Sequence, residues 1–130
     1  MKKISLLAAM LMLCAMTSYG GDKLAEYQAF RKDIYANPAN AVKYLNNKDA
    51  EIRRFAVYTV AFNKLGNFKD TLVKAAKDSD EMVRLTAVSA LYPLAAENPD
   101  VVKLMDHISR TDKDTQVRQI ALRASWPFHR

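Results

Sequence analysis

Asp49-Ala-Glu-Ile52-Arg53-Arg-Phe-Ala56 is answered by Asp80-Glu-Met-Val83-Arg84-Leu-Thr-Ala87 and again by Asp114-Thr-Gln-Val117-Arg118-Gln-Ile-Ala121. The arginines stand 31 and then 34 residues apart. Each has Asp four places before it, a β-branched residue one before and Ala three after, while the positions between vary freely. Self-similarity at this period is the mark of a repeat array in which one supersecondary unit recurs.

The likeness extends backward from each arginine. Val42-Lys43 and Val73-Lys74 keep one offset before Arg53 and Arg84, and Val102-Lys103 lies further from Arg118, across an insertion around residues 108–111. In these pairs the Val is expected to face the core and the Lys to project from the flank. Asn37-Pro38 and Asn98-Pro99 read as a cap followed by a first-turn proline. The unit is therefore predicted as a short helix, a tight polar turn and a longer helix.

In the long helix from Asp80, Val83, Ala87, Ala90, Leu91 and Leu94 fall on one face at 3.6-residue spacing. Asp78 or Ser79 is expected to cap it and Pro93 to end or kink it. Its counterpart from Asp49 is apolar almost all round through Phe55, Val57, Tyr58, Val60 and Phe62, as a helix covered on both sides should be. Gly66 is predicted as its left-handed terminator. Small residues recur at Thr59, Ala90 and Ala124, where stacked helices would approach closely. Residues 21–37, with Leu24, Tyr27, Phe30, Ile34 and Tyr35, read as a capping helix ahead of a repeat domain over 38–130. Trp126-Pro127-Phe128 is expected to stop the last helix and cover the opposite end.

Asp-x-x-(Val/Ile)-Arg-x-x-Ala resembles the signature of HEAT repeats, especially the short type found in phycobilisome lyases, over residues 38–125. The resemblance implies an all-α chain, an α-solenoid of about three helical hairpins that binds macromolecules. It also implies that Asp49, Arg53, Asp80, Arg84, Asp114 and Arg118 are structural, joining neighbouring repeats in a ladder. The physics agrees, since Asp at a helix N-terminus meets the positive end of the dipole and Arg four residues on shares its side.

The N-terminus reads as an address. Lys2 and Lys3 precede an apolar run over residues 4–16, too short to span a bilayer, and Ser18 and Gly20 have the small side chains of a signal-peptidase site. Cleavage after Gly20 is expected, giving a periplasmic or secreted chain; a lipid anchor on Cys14 is the competing reading. Cleavage would remove the only cysteine and leave 18 basic against 14 acidic residues. No disulfide or thiol nucleophile would remain.

The patterns of catalysis do not assemble. His107 and His129 lack neighbouring His or Cys, so no zinc site is expected. Asp78-Ser-Asp80-Glu81 and Asp112-Lys-Asp114 lack the glycine and distal glutamate of a calcium loop and read as caps. No glycine-rich phosphate loop occurs. No catalytic residue, metal or cofactor is predicted, and an enzyme is not expected.

The remaining signal is cationic. Lys43, Lys74 and Lys103 recur on the short helices, joined by Lys69, Lys77 and Arg110. In the family that the repeat resembles, second helices line the concave surface, and the six cations are read as a stripe along it, docking an acidic protein partner. The expected function is a non-catalytic, exported interaction or scaffold module. The alternatives are a nucleic-acid binder, or a DNA-glycosylase-like solenoid, and a lyase accessory; export and the modest charge of the cleaved chain weigh against them.

Overall fold

The computed structural model describes residues 20–129, and the first element among them is α1 (Gly21–Ala36). The signal peptide read over residues 1–20 falls, but for Gly20, outside the described residues. α1 buries Tyr27, Phe30 and Ile34, a single stripe at i, i+3 and i+7, while Leu24 is half-buried and Tyr35 is exposed.

The chain divides into two units, residues 1–66 and 67–130. In the first, α1 packs on a 3₁₀ segment (Pro38–Tyr44), which packs on α2 (Ala50–Asn63). Asn37 opens the 3₁₀ segment by accepting the Ala39 N–H on Oδ1 at 3.1 Å. An aromatic cluster joins the elements: the Phe30 ring meets Tyr44 edge-on at 4.9 Å, and Tyr27 meets Phe55 at 5.8 Å. Asp33 accepts hydrogen bonds from the Asn40 amide and the Tyr44 hydroxyl at 2.7 and 2.9 Å. Burial and that bond together push the Tyr44 hydroxyl pKa up.

The second unit holds α3 (Phe68–Ala75), α4 (Glu81–Leu91), a 3₁₀ segment (Tyr92–Glu97), α5 (Pro99–Thr111) and α6 (Thr115–Ser125). A last 3₁₀ turn (Trp126–Phe128) follows. α3 pairs with α4 and α5 with α6, and α6 packs along α4. The core between them is built from Leu72, Val83, Ala87, Leu91, Val101, Met105, Val117 and Ala121, all essentially without exposure. The described residues contain helices and turns and no strand, as the all-α reading requires.

Several expectations need correction. The core residue of each first helix is Ala41, Leu72 or Val101, all fully buried, one place before the predicted valines; Val42 is 54% exposed. The first unit's opening helix is 3₁₀, whose three-residue turn breaks the 3.6-residue frame on which the valine placement rested. The insertion before Arg118 lies inside α5, which at 13 residues outlasts the 11-residue α6, so the short-then-long order fails there. α2 ends on Lys64 in the left-handed region (φ 50°, ψ 49°), with its N–H on Ala61 O and Val60 O and the Leu65 N–H on Val60 O. That is the bonding of a Schellman cap, so Lys64 rather than Gly66 is the terminator, and Gly66 takes a second positive φ of 53° just beyond. Phe62 is half exposed, so α2 is not covered all round. Pro93 does end α4, at Leu91, because a proline cannot supply the next helical N–H.

Candidate functional site

The three Asp–Arg motifs build one loop three times. Two places before each motif aspartate stands Asn47, Asp78 or Asp112, whose Oδ1 accepts the N–H of Asp49, Asp80 or Asp114 at 2.8–2.9 Å. The motif aspartate then caps the following helix. Asp49 accepts from Glu51 N–H, Asp80 from Met82 and Val83, and Asp114 from Val117. Asp80, not Asp78 or Ser79, is thus the cap of α4. The arginine, one helical turn on, folds back over the loop. Nη1 of Arg53 donates to Asn47 O and Lys48 O, Nη1 of Arg84 to Asp78 O and Ser79 O, and Nη1 of Arg118 to Asp112 O and Lys113 O, at 2.7–3.2 Å. Carbonyls with no helical partner of their own are satisfied in this way.

Arg84 also has a second edge in use. Its Nε and Nη2 grip both oxygens of Asp112 at 2.9 and 3.0 Å, and the two side chains are 6% and 7% exposed. Burial pushes the Asp112 carboxyl up, but the Arg84 hydrogen bond and the Asp114 N–H outweigh it and hold the pKa below the ordinary carboxylate range. The hydrogen bond to Asp112 likewise raises Arg84. The bridging carboxylate is therefore the residue two before the motif aspartate, a position the sequence shows as Asn47, Asp78 and Asp112.

Of the six cations read as a concave stripe, half are engaged by acids. Lys43 lies 3.8 Å from Asp33, Lys69 3.1 Å from Asp100 and Arg110 2.9 Å from Asp106. The Lys69 hydrogen bond holds Asp100 below its ordinary range. Lys74, Lys77 and Lys103 are exposed and pair with no carboxylate among the described residues. All six belong to the first helices of their hairpins or to the residues just after them, and the second helices α4 and α6 carry none.

Sequence reading missed an apolar concavity of about 480 Å³ in the second unit, lined by Tyr92, Leu122, Arg123 and Trp126. The predicted cover at Trp126 and Phe128 is itself open: Trp126 is 69% and Phe128 45% exposed. Pro127 holds these residues in a 3₁₀ turn, and His129 Nε2 lies 3.1 Å from Asp106 Oδ1. A signal was present, since Leu122 and Trp126 fall one turn apart on the side of α6 away from Val117 and Ala121.

Among the described residues no three His, Cys, Asp or Glu side chains gather as metal ligands, and no helix is long and apolar enough to cross a membrane. A family model for HEAT repeats matches residues 39–125. No curated protein and no solved structure matches the chain. With two thirds of its length matched and its helices paired as described, the chain belongs to the HEAT-repeat family, an all-α fold of the α-solenoid class.

Proposed function

We propose that this HEAT-repeat protein is a non-catalytic module that is exported and binds another protein. The family supports an interaction or scaffold role, because such repeats generally mediate contacts between proteins. The observation that carries the reading is where the chain spends its side chains. Its aspartates and arginines close loops, whereas Tyr92, Leu122 and Trp126 are left 46%, 46% and 69% exposed around one concavity. Large apolar groups gathered at a surface mark an interaction site, whereas singly scattered ones need no explanation. Lys74, Lys77 and Lys103 favour an acidic partner and a binding strength that falls with salt, since exposed charges are screened within about 8–10 Å at physiological ionic strength.

Cross-linking of the protein in its native cells, followed by reconstitution with the purified partner, tests this. A defined complex weakened by Lys74→Glu, Lys77→Glu and Lys103→Glu together is the expected result. Binding of duplex DNA in preference to any protein would overturn the reading. So would recovery of no protein partner.

Export rests on Lys2, Lys3, the apolar run to Met16 and the Ser18-x-Gly20 site. Intact-mass measurement on native material is expected to give a chain that begins at Gly21. A chain retaining Met1, or one beginning at a lipidated Cys14, would contradict it.

A further inference from the structure

From α4 into the first residue of the 3₁₀ segment after it, Arg84, Val88 and Tyr92 follow at i, i+4 and i+8, one stripe. From α6 into the last 3₁₀ turn, the corresponding places 34 residues on hold Arg118, Leu122 and Trp126. The α4 stripe is covered for its first two places. α6 packs along α4, Asp112 from the loop ahead of α6 takes the second edge of Arg84, and Val88 is fully buried. Among the described residues the α6 stripe has no such cover: Arg118 is partly buried by its own loop, and Leu122 and Trp126 are exposed. Leu122 is 46% exposed where Val88 is 0%. Arg118 makes the same loop bonds as Arg84 through Nη1 and gives Nη2 to the Thr115 hydroxyl at 3.0 Å, yet it pairs with no carboxylate among the described residues.

α6 thus presents one side of the joint that α4 completes with α5 and α6, and the completed joint shows what the other side must carry. It must supply a carboxylate at the end of an interhelical loop, set for a bidentate grip on guanidinium, and apolar side chains beyond it along a helix. Charge narrows the occupant further. Residues 115–129 include Arg118 and Arg123 and no acidic residue, so a second copy offering the same face would meet like charge, whereas an acidic partner would not.

We infer that this face of α6 docks a helical hairpin of a partner protein whose connecting loop carries an aspartate or glutamate, with the carboxylate on Arg118 and apolar helix residues laid over Leu122, Trp126 and Tyr92. The inference rests on the interaction-module reading and adds the surface and the chemistry of the partner.

The chain itself supplies a probe and a reporter. A synthetic peptide of residues 98–125 carries α5, the Asp112 loop and α6, and it contains no tryptophan, while Trp126 is the only tryptophan of the full chain. Titrated into the full chain, the peptide is expected to move Trp126 emission to shorter wavelength in a saturable manner. Arg118→Glu or Leu122→Glu in the protein should weaken binding at least tenfold, as should Asp112→Lys in the peptide. Arg118→Asp in the protein with Asp112→Arg in the peptide should restore it, an outcome that a damaged fold cannot give. No saturable shift, or a shift indifferent to all three charge changes, would overturn the inference. So would a shift produced by phosphatidylglycerol vesicles and not by the peptide, which would make the face a lipid-binding one. If cross-linked protein partners persist undiminished in Arg118→Glu and Leu122→Glu, this surface is wrong while the interaction-module reading stands.

Discussion

Arg84→Ala is expected to lower unfolding free energy by about 3–5 kcal/mol, read from urea unfolding followed by circular dichroism. The size follows from what is left behind. The Asp112 carboxylate is 7% exposed and loses both hydrogen bonds from Arg84 at once, so a charge is stranded where water cannot reach it. Asp112→Ala should cost a similar amount by stranding the guanidinium instead, and it also deletes the acceptor for the Asp114 N–H. Arg84→Met combined with Asp112→Leu removes both charges together and should recover most of the loss, because two apolar side chains need no partner. The exposed Arg110–Asp106 pair has a comparable distance of 2.9 Å, yet Arg110 is 69% exposed, and Arg110→Ala should change stability by about 0.5 kcal/mol or less. Near-equal effects at Arg84 and Arg110 would show that burial does not govern the difference. The acid limb carries a sign as well. Asp112 releases its proton more readily folded than unfolded, so its contribution is complete above the ordinary carboxylate range and is lost as pH falls through that range to the lowered folded value. Arg84→Ala, with the stabilising partner gone, should flatten that part of the pH–stability curve.

The loop that holds this pair was half legible in the sequence. Asp49, Asp80 and Asp114 could be aligned because capping needs a short acceptor at one fixed place ahead of the helix, and Arg53, Arg84 and Arg118 because only a residue one turn on can reach back over the loop. The bridging acid escaped the alignment. Asn47, Asp78 and Asp112 do not share a residue type, and accepting a neighbouring N–H is work that either Asn or Asp performs. The register of the first helices was misplaced for a different reason: Val42, Val73 and Val102 look like core residues by hydropathy, but each follows another apolar residue, Ala41, Leu72 or Val101, and it is that one which is buried. Hydropathy also predicted a cover at Trp126 and Phe128, because a pattern of apolar residues does not say whether anything lies opposite them. On α4 the first two places of the stripe are buried, on α6 Leu122 and Trp126 are exposed, and the sequence of the two helices is similar in kind. Burial there depends on what lies opposite, which no residue within α6 encodes.

Phe30→Ala is expected to cost about 3–5 kcal/mol, comparable to the loss at Arg84 but located in the first unit. Phe30 is fully buried in α1, and its ring meets Tyr44 edge-on at 4.9 Å and Tyr27 at 6.1 Å, so the substitution removes the centre of the aromatic cluster. The cavity cannot collapse easily. α1 is fixed to the 3₁₀ segment on one side of the ring by Asp33, which holds Asn40 and Tyr44, and to the first repeat loop by Lys23 with Asp49 at 3.6 Å and by the Asn47 amide on Glu26 at 3.2 Å. Those polar contacts are exposed or partly so and are worth little singly, so they position α1 but do not replace the lost burial. Leu24→Ala, at a half-buried position in the same helix, removes three carbons rather than six and leaves no closed cavity, so it should cost clearly less. The comparison decides what α1 is. If Phe30→Ala lowers the denaturant midpoint for the unfolding of the whole helical signal and Leu24→Ala barely moves it, α1 is a true end cap that the first repeat requires to bury its apolar face. If Phe30→Ala leaves the main transition in place and only sheds the helical signal of some sixteen residues early, α1 is an appended helix that docks on a repeat already stable without it.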